Sequence, residues 1–223
     1  MKKKTLALIH TVNWYDKSVF NPFVAPWLKR NPDVRVFNLM DDSLLAEALA
    51  HNGATKAVIK RIQFYVLSAE AMGADVAMCS CTTMGEATRL ARQYASIPAF
   101  NIDEPMAREA VRRGRRIGIV ATVPTSPAAT QRQLEYAAHD AGVSISIKIA
   151  LNEKAFAHLR EGEIEEHNEL VHREMDRLAP KVDVLVLGQI SLARIKHPAR
   201  VPVLQVGHSG LAEARRLLNQ VRK

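Results

Sequence analysis

Cysteine is nearly missing from this chain. Its 223 residues carry two, Cys79 and Cys81, spaced C-x-C. Such a pair cannot build a disulfide framework, so a reducing, cytoplasmic location is expected. Long apolar runs are missing too. None approaches the ~20 residues that cross a bilayer, so no membrane partner is expected. Met1-Lys2-Lys3-Lys4 precedes only a short apolar run, residues 6–9, too short for the core of a signal peptide. Aromatics are scarce at 5%, while Ala, Val, Ile and Leu are plentiful, a balance that suits an α/β protein. No linker of Pro, Ser or Gly separates two halves.

Acid is in the minority. The formal net charge is +8, which raises the question of nucleic acid. The basic residues are scattered, however, apart from Arg112-Arg113-Gly114-Arg115-Arg116. That cluster falls at an expected helix C-terminus, where cations complement the helix dipole. No zinc finger, RNA-recognition signature or interleaving of aromatic and basic residues is present. The basicity reads as a solvated surface able to attract small anions, with no nucleic-acid partner.

What is present is an alternation of strands and helices. Strands are expected at residues 6–9, 34–39, 76–79, 97–102, 117–121, 143–149, 182–187 and 201–206. Helices are expected at 22–30, 44–50, 55–72, 86–94, 105–114, 128–141, 153–160, 164–178 and 211–221. Residues 14–21 read as an irregular loop. Alternation of this kind implies parallel sheets.

The chain is organised around Val76-Ala77-Met78-Cys79-Ser80-Cys81-Thr82-Thr83. An apolar strand ends there in small polar residues and passes into a helix. A thiol placed just before a helix meets unpaired N–H groups and the positive end of the dipole, which stabilise the reactive thiolate. Cys79, inside the run, reads as a small buried hydrophobe. Cys81, beyond it, reads as functional. Thr82 and Thr83 add hydroxyls that cap the helix or hold an anion.

Three segments recur in order. Leu8-Ile9-His10-Thr11-Val12 matches Ile119-Val120-Ala121-Thr122-Val123, Ala74-Asp75-Val76 matches Val182-Asp183-Val184, and Ile97-Pro98 matches Val201-Pro202. The paired segments lie between 104 positions (97 to 201) and 111 positions (11 to 122) apart. Two homologous α/β halves are expected: residues 1–98 with 207–223, and residues 99–206. In such sheets ligands bind beyond the carboxyl ends of the strands. Aligning Asp75 with Asp183 sets Cys81 against Gln189 and Thr83 against Ser191, and the match of the first segments sets Thr11 against Thr122.

These features, with Ile117-Gly118-Ile119-Val120-Ala121-Thr122 and Thr125, Val184-Leu185-Val186-Leu187-Gly188, and Ile102-Asp103-Glu104-Pro105-Met106, resemble the aspartate/glutamate racemase superfamily. Its relatives include hydantoin racemases, maleate isomerases and arylmalonate decarboxylases. The resemblance spans essentially the whole chain. It implies two three-layer α/β/α domains with parallel sheets, related by a pseudo-twofold axis with the active site in the cleft between them. It also implies a small carboxylate-bearing substrate, no metal or organic cofactor, and a homo-oligomer. Such proteins typically use two cysteines, one per half, to remove and return a proton at the substrate's α-carbon. The second would fall at Gln189, whose amide is neither acid nor base near neutral pH.

The expected catalytic residues are therefore Cys81, as acid and base, and Gln189, as hydrogen-bond donor to a developing oxyanion. The expected substrate contacts are His10, Asn13, Thr82, Thr83, Thr122, Thr125 and Ser191. Bland roles stand beside these. His10 suits a structural histidine, Asn13 a turn, Thr122 and Thr125 helix caps, and Gln189 a packing replacement. His167 and His172 are five residues apart and do not share a helix face, so no metal is expected at Glu165-Glu166-His167. The reaction expected is proton abstraction alpha to a carboxylate or carbonyl by a racemase or isomerase. The alternatives are a one-thiol decarboxylase and a non-catalytic small-molecule binding protein.

Overall fold

The computed structural model describes residues 3–221. In chain order the elements are β1 (Lys4–His10), α1 (Ala25–Arg30), β2 (Val34–Met40), α2 (Ser43–Ala50), α3 (Lys56–Ala71), β3 (Val76–Cys79), α4 (Gly85–Ala91) and β4 (Ala99–Asn101). There follow α5 (Glu104–Arg113), β5 (Arg116–Ala121), α6 (Ser126–Asp140), β6 (Ser146–Leu151), α7 (Glu153–Glu161), α8 (Ile164–Leu178), β7 (Val184–Leu187), β8 (Val203–Gln205) and α9 (His208–Gln220). No described helix is long and apolar enough to cross a membrane.

The chain divides into two compact units, residues 1–102 with 207–223, and residues 103–206. The first contains a parallel sheet in the order β2-β1-β3-β4, the second a parallel sheet in the order β6-β5-β7-β8. Each sheet therefore runs second, first, third, fourth along its own half. Crossover helices cover the faces of each, as parallel strands require.

In the first unit the alternation of β1 sends Ala7 and Ile9 to one face, where they join Ala77 and Cys79 against Val58, Ile62, Val66 and Ala69 of α3. Those helical residues recur at three- and four-residue spacing, the stripe of an amphipathic helix. Thr55 caps α3, its hydroxyl oxygen accepting from the Val58 N–H at 3.1 Å. In the second unit Val120, Leu185 and Leu187 pack against Val171, Met175 and Leu178 of α8. Full burial of each such side chain contributes about 1.5–3 kcal/mol.

The aspartates that align the two halves perform one job. Asp75 accepts from the Thr5 N–H at 2.7 Å and so ties the start of β3 to the start of β1. Asp183 accepts from the N–H groups of Arg115 and Arg116 at 3.0 and 2.8 Å, tying β7 to β5. The Arg116 guanidinium also bonds Asp183, and these contacts hold its pKa at about 2. Other members of the basic cluster are paired as well, Arg112 and Arg113 with Glu109.

Several expected boundaries move. Residues 99–102 lie in the first unit, not the second, because β4 pairs with β3 through Met78↔Phe100 and Cys79↔Asn101. The expected loop at 14–21 is largely a wide helical turn, Asp16–Val24, that contains Pro22 and leads into α1. The expected strand at 143–149 begins later, at Ser146, because Arg116↔Ser146 to Ala121↔Leu151 fixes its register on β5.

Candidate active site

In the first unit the carboxyl ends of β1 and β3 lie side by side, since Ile9 pairs with Cys79. Ser80 continues the pairing by donating its N–H to the Ile9 carbonyl at 3.0 Å. Cys81 follows in extended conformation, φ −127° and ψ 117°, at the N-cap position of a short 3-10 turn, Thr82–Met84, that runs directly into α4. The polar groups that favour a charged sulfur here are Thr11, Thr83 and the main chain of Thr83 and Met84, and the Met84 N–H itself donates to the Cys81 carbonyl at 3.0 Å. Burial is the largest influence and pushes the thiol pKa up, while those polar groups pull it down. Thr82 and Thr83 are buried beside it. Cys79 is fully buried in the core, as its place in the strand implied.

His10 is fully buried. Its Nδ1 lies 2.9 Å from Ser80 Oγ and its Nε2 3.0 Å from Asn38 Oδ1. An amide oxygen only accepts, so Nε2 carries the proton and Nδ1 accepts from Ser80. The ring stacks on Tyr15 with centroids 4.1 Å apart. Burial lowers its pKa to about 4, against the Asn38 hydrogen bond, which raises it. His10 is thus a neutral clamp joining β1, β2 and the Cys81 segment. Asn13 is exposed, and its amide donates to Asp42 Oδ2 at 3.2 Å.

In the second unit the corresponding place holds Gln189, buried and extended at φ −95° and ψ 142°. Its Oε1 accepts from the main-chain N–H groups of Thr122 at 2.7 Å and Val123 at 3.2 Å. Its Nε2 donates to Thr122 Oγ1 at 3.1 Å and Ser191 Oγ at 3.3 Å. Only this orientation of the amide works, because the reverse would face donors with donors. The close approach of Gly188 to α6 sets its position: a Cβ there would stand 2.4 Å from Thr130 Oγ1. Thr125 sits at the N-cap of α6 in helical conformation and makes no side-chain cap, so capping does not account for it.

Thr11, Ser80, Asn38 and Tyr15 were not expected as site residues. The Thr11–Thr122 match signalled the first. Nothing local signalled Asn38, which is 28 residues from His10. Among the described residues one group, His158, Glu161 and Glu163, brings three metal-type ligand atoms within 4.8 Å of one another, on the surface of the α7–α8 hairpin. His158 Nδ1 is already paired with Glu163 at 2.5 Å. His167, by contrast, is buried and bonds the Ala155 carbonyl at 2.8 Å.

Known structures share this fold at low identity. A glutamate racemase isoform from Bacillus anthracis aligns with a TM-score of 0.68 at 17% identity, covering 98% of this chain and 83% of its own. An aspartate racemase homologue from Pyrococcus horikoshii gives 0.70 at 14%, covering 99% and 100%. An allantoin racemase from Klebsiella pneumoniae gives 0.65 at 18%, covering 97% and 88%. Among curated protein sequences none matches. The Asp/Glu/Hydantoin racemase profile matches residues 28–214, well over half of the chain. With two parallel sheets in matching strand order and a thiol at a strand-to-helix junction, the chain belongs to the Asp/Glu/Hydantoin racemase family and is an isomerase or racemase of that family.

Proposed function

We propose that the protein moves a proton at the carbon alpha to a carboxylate or carbonyl of a small acid, an amino acid or a derivative of one, with Cys81 as the acid and base and no cofactor. The observation that carries this reading is the place of Cys81, past the end of β3 at the N-cap of the turn that leads into α4, with Thr11 and Thr83 beside it. Donors fixed in advance stabilise charge as it forms, without reorganisation. The thiol first gives up its own proton to solvent. The thiolate then takes the α-proton, and the electron pair of the broken C–H bond moves into the adjacent carbonyl as an enediolate. Return of a proton to carbon restores the acid. Thr82 and Thr83, with neighbouring N–H groups, hold the carboxylate in this reading. Gln189 enters as a fixed amide and exchanges no proton.

One observation favours a second reading. Burial pushes the Cys81 thiol pKa up, against the polar groups around it that pull it down. A resting thiol suits a decarboxylase, in which loss of carbon dioxide leaves the electron pair on carbon and Cys81 supplies the proton.

Incubation of amino acids, hydantoins and arylmalonates in deuterium oxide separates the readings. Deuterium at the α-carbon with the carboxylate retained supports racemisation or isomerisation. Release of carbon dioxide with deuterium in the product selects decarboxylation. Binding with neither outcome makes the chain a small-molecule binding protein.

A further inference from the structure

The amide of Gln189 occupies a place shaped for an anion. Two successive main-chain N–H groups, those of Thr122 and Val123, converge on one oxygen at 2.7 and 3.2 Å. N–H groups arranged in this way bind carboxylates and other small anions well. Here the oxygen they hold belongs to the chain itself and is neutral. Thr122 is fully buried and Gln189 is 5% exposed, so water does not compete for these bonds.

We propose that Gln189 is a specificity-determining residue: by filling the N–H pair of Thr122 and Val123, it denies a small carboxylate an anchor at that strand end of the second unit. The inference rests on the reading of these strand ends as the place where substrate is held. Three further features fit. The nitrogen of the same amide donates to Thr122 Oγ1 and Ser191 Oγ, so the amide is held through both its oxygen and its nitrogen. The Gly188 backbone passes too close to Thr130 for any Cβ, which fixes the approach of Gln189 to the N–H pair. Cys81, the corresponding residue of the first half, carries no oxygen that could fill such a place. The first half therefore keeps its donors for charge that develops in the reaction, and the second spends its donors on its own amide.

The test reads binding at the N–H pair directly, by the amide NMR resonances of Thr122 and Val123 during titration with acetate and with succinate. In Gln189→Ala both resonances are expected to shift saturably, with binding about 10- to 100-fold tighter than in wild type. Acetamide, the lost group supplied free, is expected to return them toward their wild-type positions. In Gln189→Glu the side chain keeps an oxygen in place, and neither resonance is expected to move. Should Gln189→Ala fail to fold, wild type decides alone. Its Thr122 and Val123 amides are expected to exchange with solvent as slowly as the interior of β5, and to stay unmoved by succinate. The proposal is overturned if acetate binds Gln189→Ala no better than wild type, or if succinate moves both resonances in wild type. None of these readouts needs turnover, so a failure of the Cys81 reading would show separately, as activity retained without the thiol.

Discussion

The hydroxyl of Thr11 bonds the sulfur of Cys81 across 70 residues of sequence, joining the end of β1 to the residue that follows β3. The second half builds the same connection with other chemistry: Thr122, after β5, receives the amide of Gln189, after β7. One connection prepares a sulfur for charge. The other consumes its donors in a neutral contact.

Removal of the Thr11 hydroxyl isolates the first of these. In Thr11→Val the thiol loses a donor that favours its charged form, so its pKa rises further. The inflection in iodoacetamide alkylation of Cys81 against pH is expected to move to higher pH. Turnover at neutral pH is expected to fall about 10-fold or more, the scale of one charge-assisted hydrogen bond.

His10 predicts how stability depends on pH. Its folded pKa, lowered to about 4, lies below the unfolded value near 6.5. The unfolded chain then binds more protons between those limits, and stability falls as pH drops through that window. The loss by pH 4 is about 3 kcal/mol from this one group. Urea unfolding at pH 7 and pH 4 measures it, and His10→Gln is expected to flatten that part of the profile while lowering stability at pH 7.

Gly188 is a packing prediction. A Cβ at 2.4 Å from Thr130 Oγ1 forces the backbone before Gln189 away from α6. Gly188→Ala is expected to cost about 1–3 kcal/mol. Thr130→Ala on that background is expected to recover part of the loss, a coupling that a double-mutant cycle reads.

Asp75 tests the tie at the start of the first sheet. Asp75→Ala leaves the N–H of buried Thr5 without its 2.7 Å acceptor. An abandoned buried donor costs about 1–3 kcal/mol. Thermal unfolding is expected to show the loss, and hydrogen exchange is expected to locate it at the β1–β3 edge.

Asp75 and Asp183 also show why the fold was legible. Each ties a third strand to a first strand, a contact local to the strand starts, so the same residue stands at the same place in both halves. The apolar runs and their alternation with helices followed from periodicity, and Cys81 followed from its position past the end of β3. His10 was only half legible. Its clamp needs Asn38 from β2 and Ser80 from just beyond β3, partners that no local pattern announces. The short β4 was readable as a strand, but its neighbour was not, because a strand of three residues carries too little pattern to select one edge over another. Gln189 was located by the repeat, yet its role depends on two backbone N–H groups more than 60 residues away.

The central claim is that Cys81 transfers the proton. Deuterium incorporation at the α-carbon of a turned-over substrate, followed by NMR in wild type, Cys81→Ser and Cys81→Ala, tests it most directly. The expected result is exchange in wild type and a loss of several orders of magnitude in both variants, with circular dichroism and unfolding midpoints close to wild type. Exchange at the wild-type rate in folded Cys81→Ala would contradict the account.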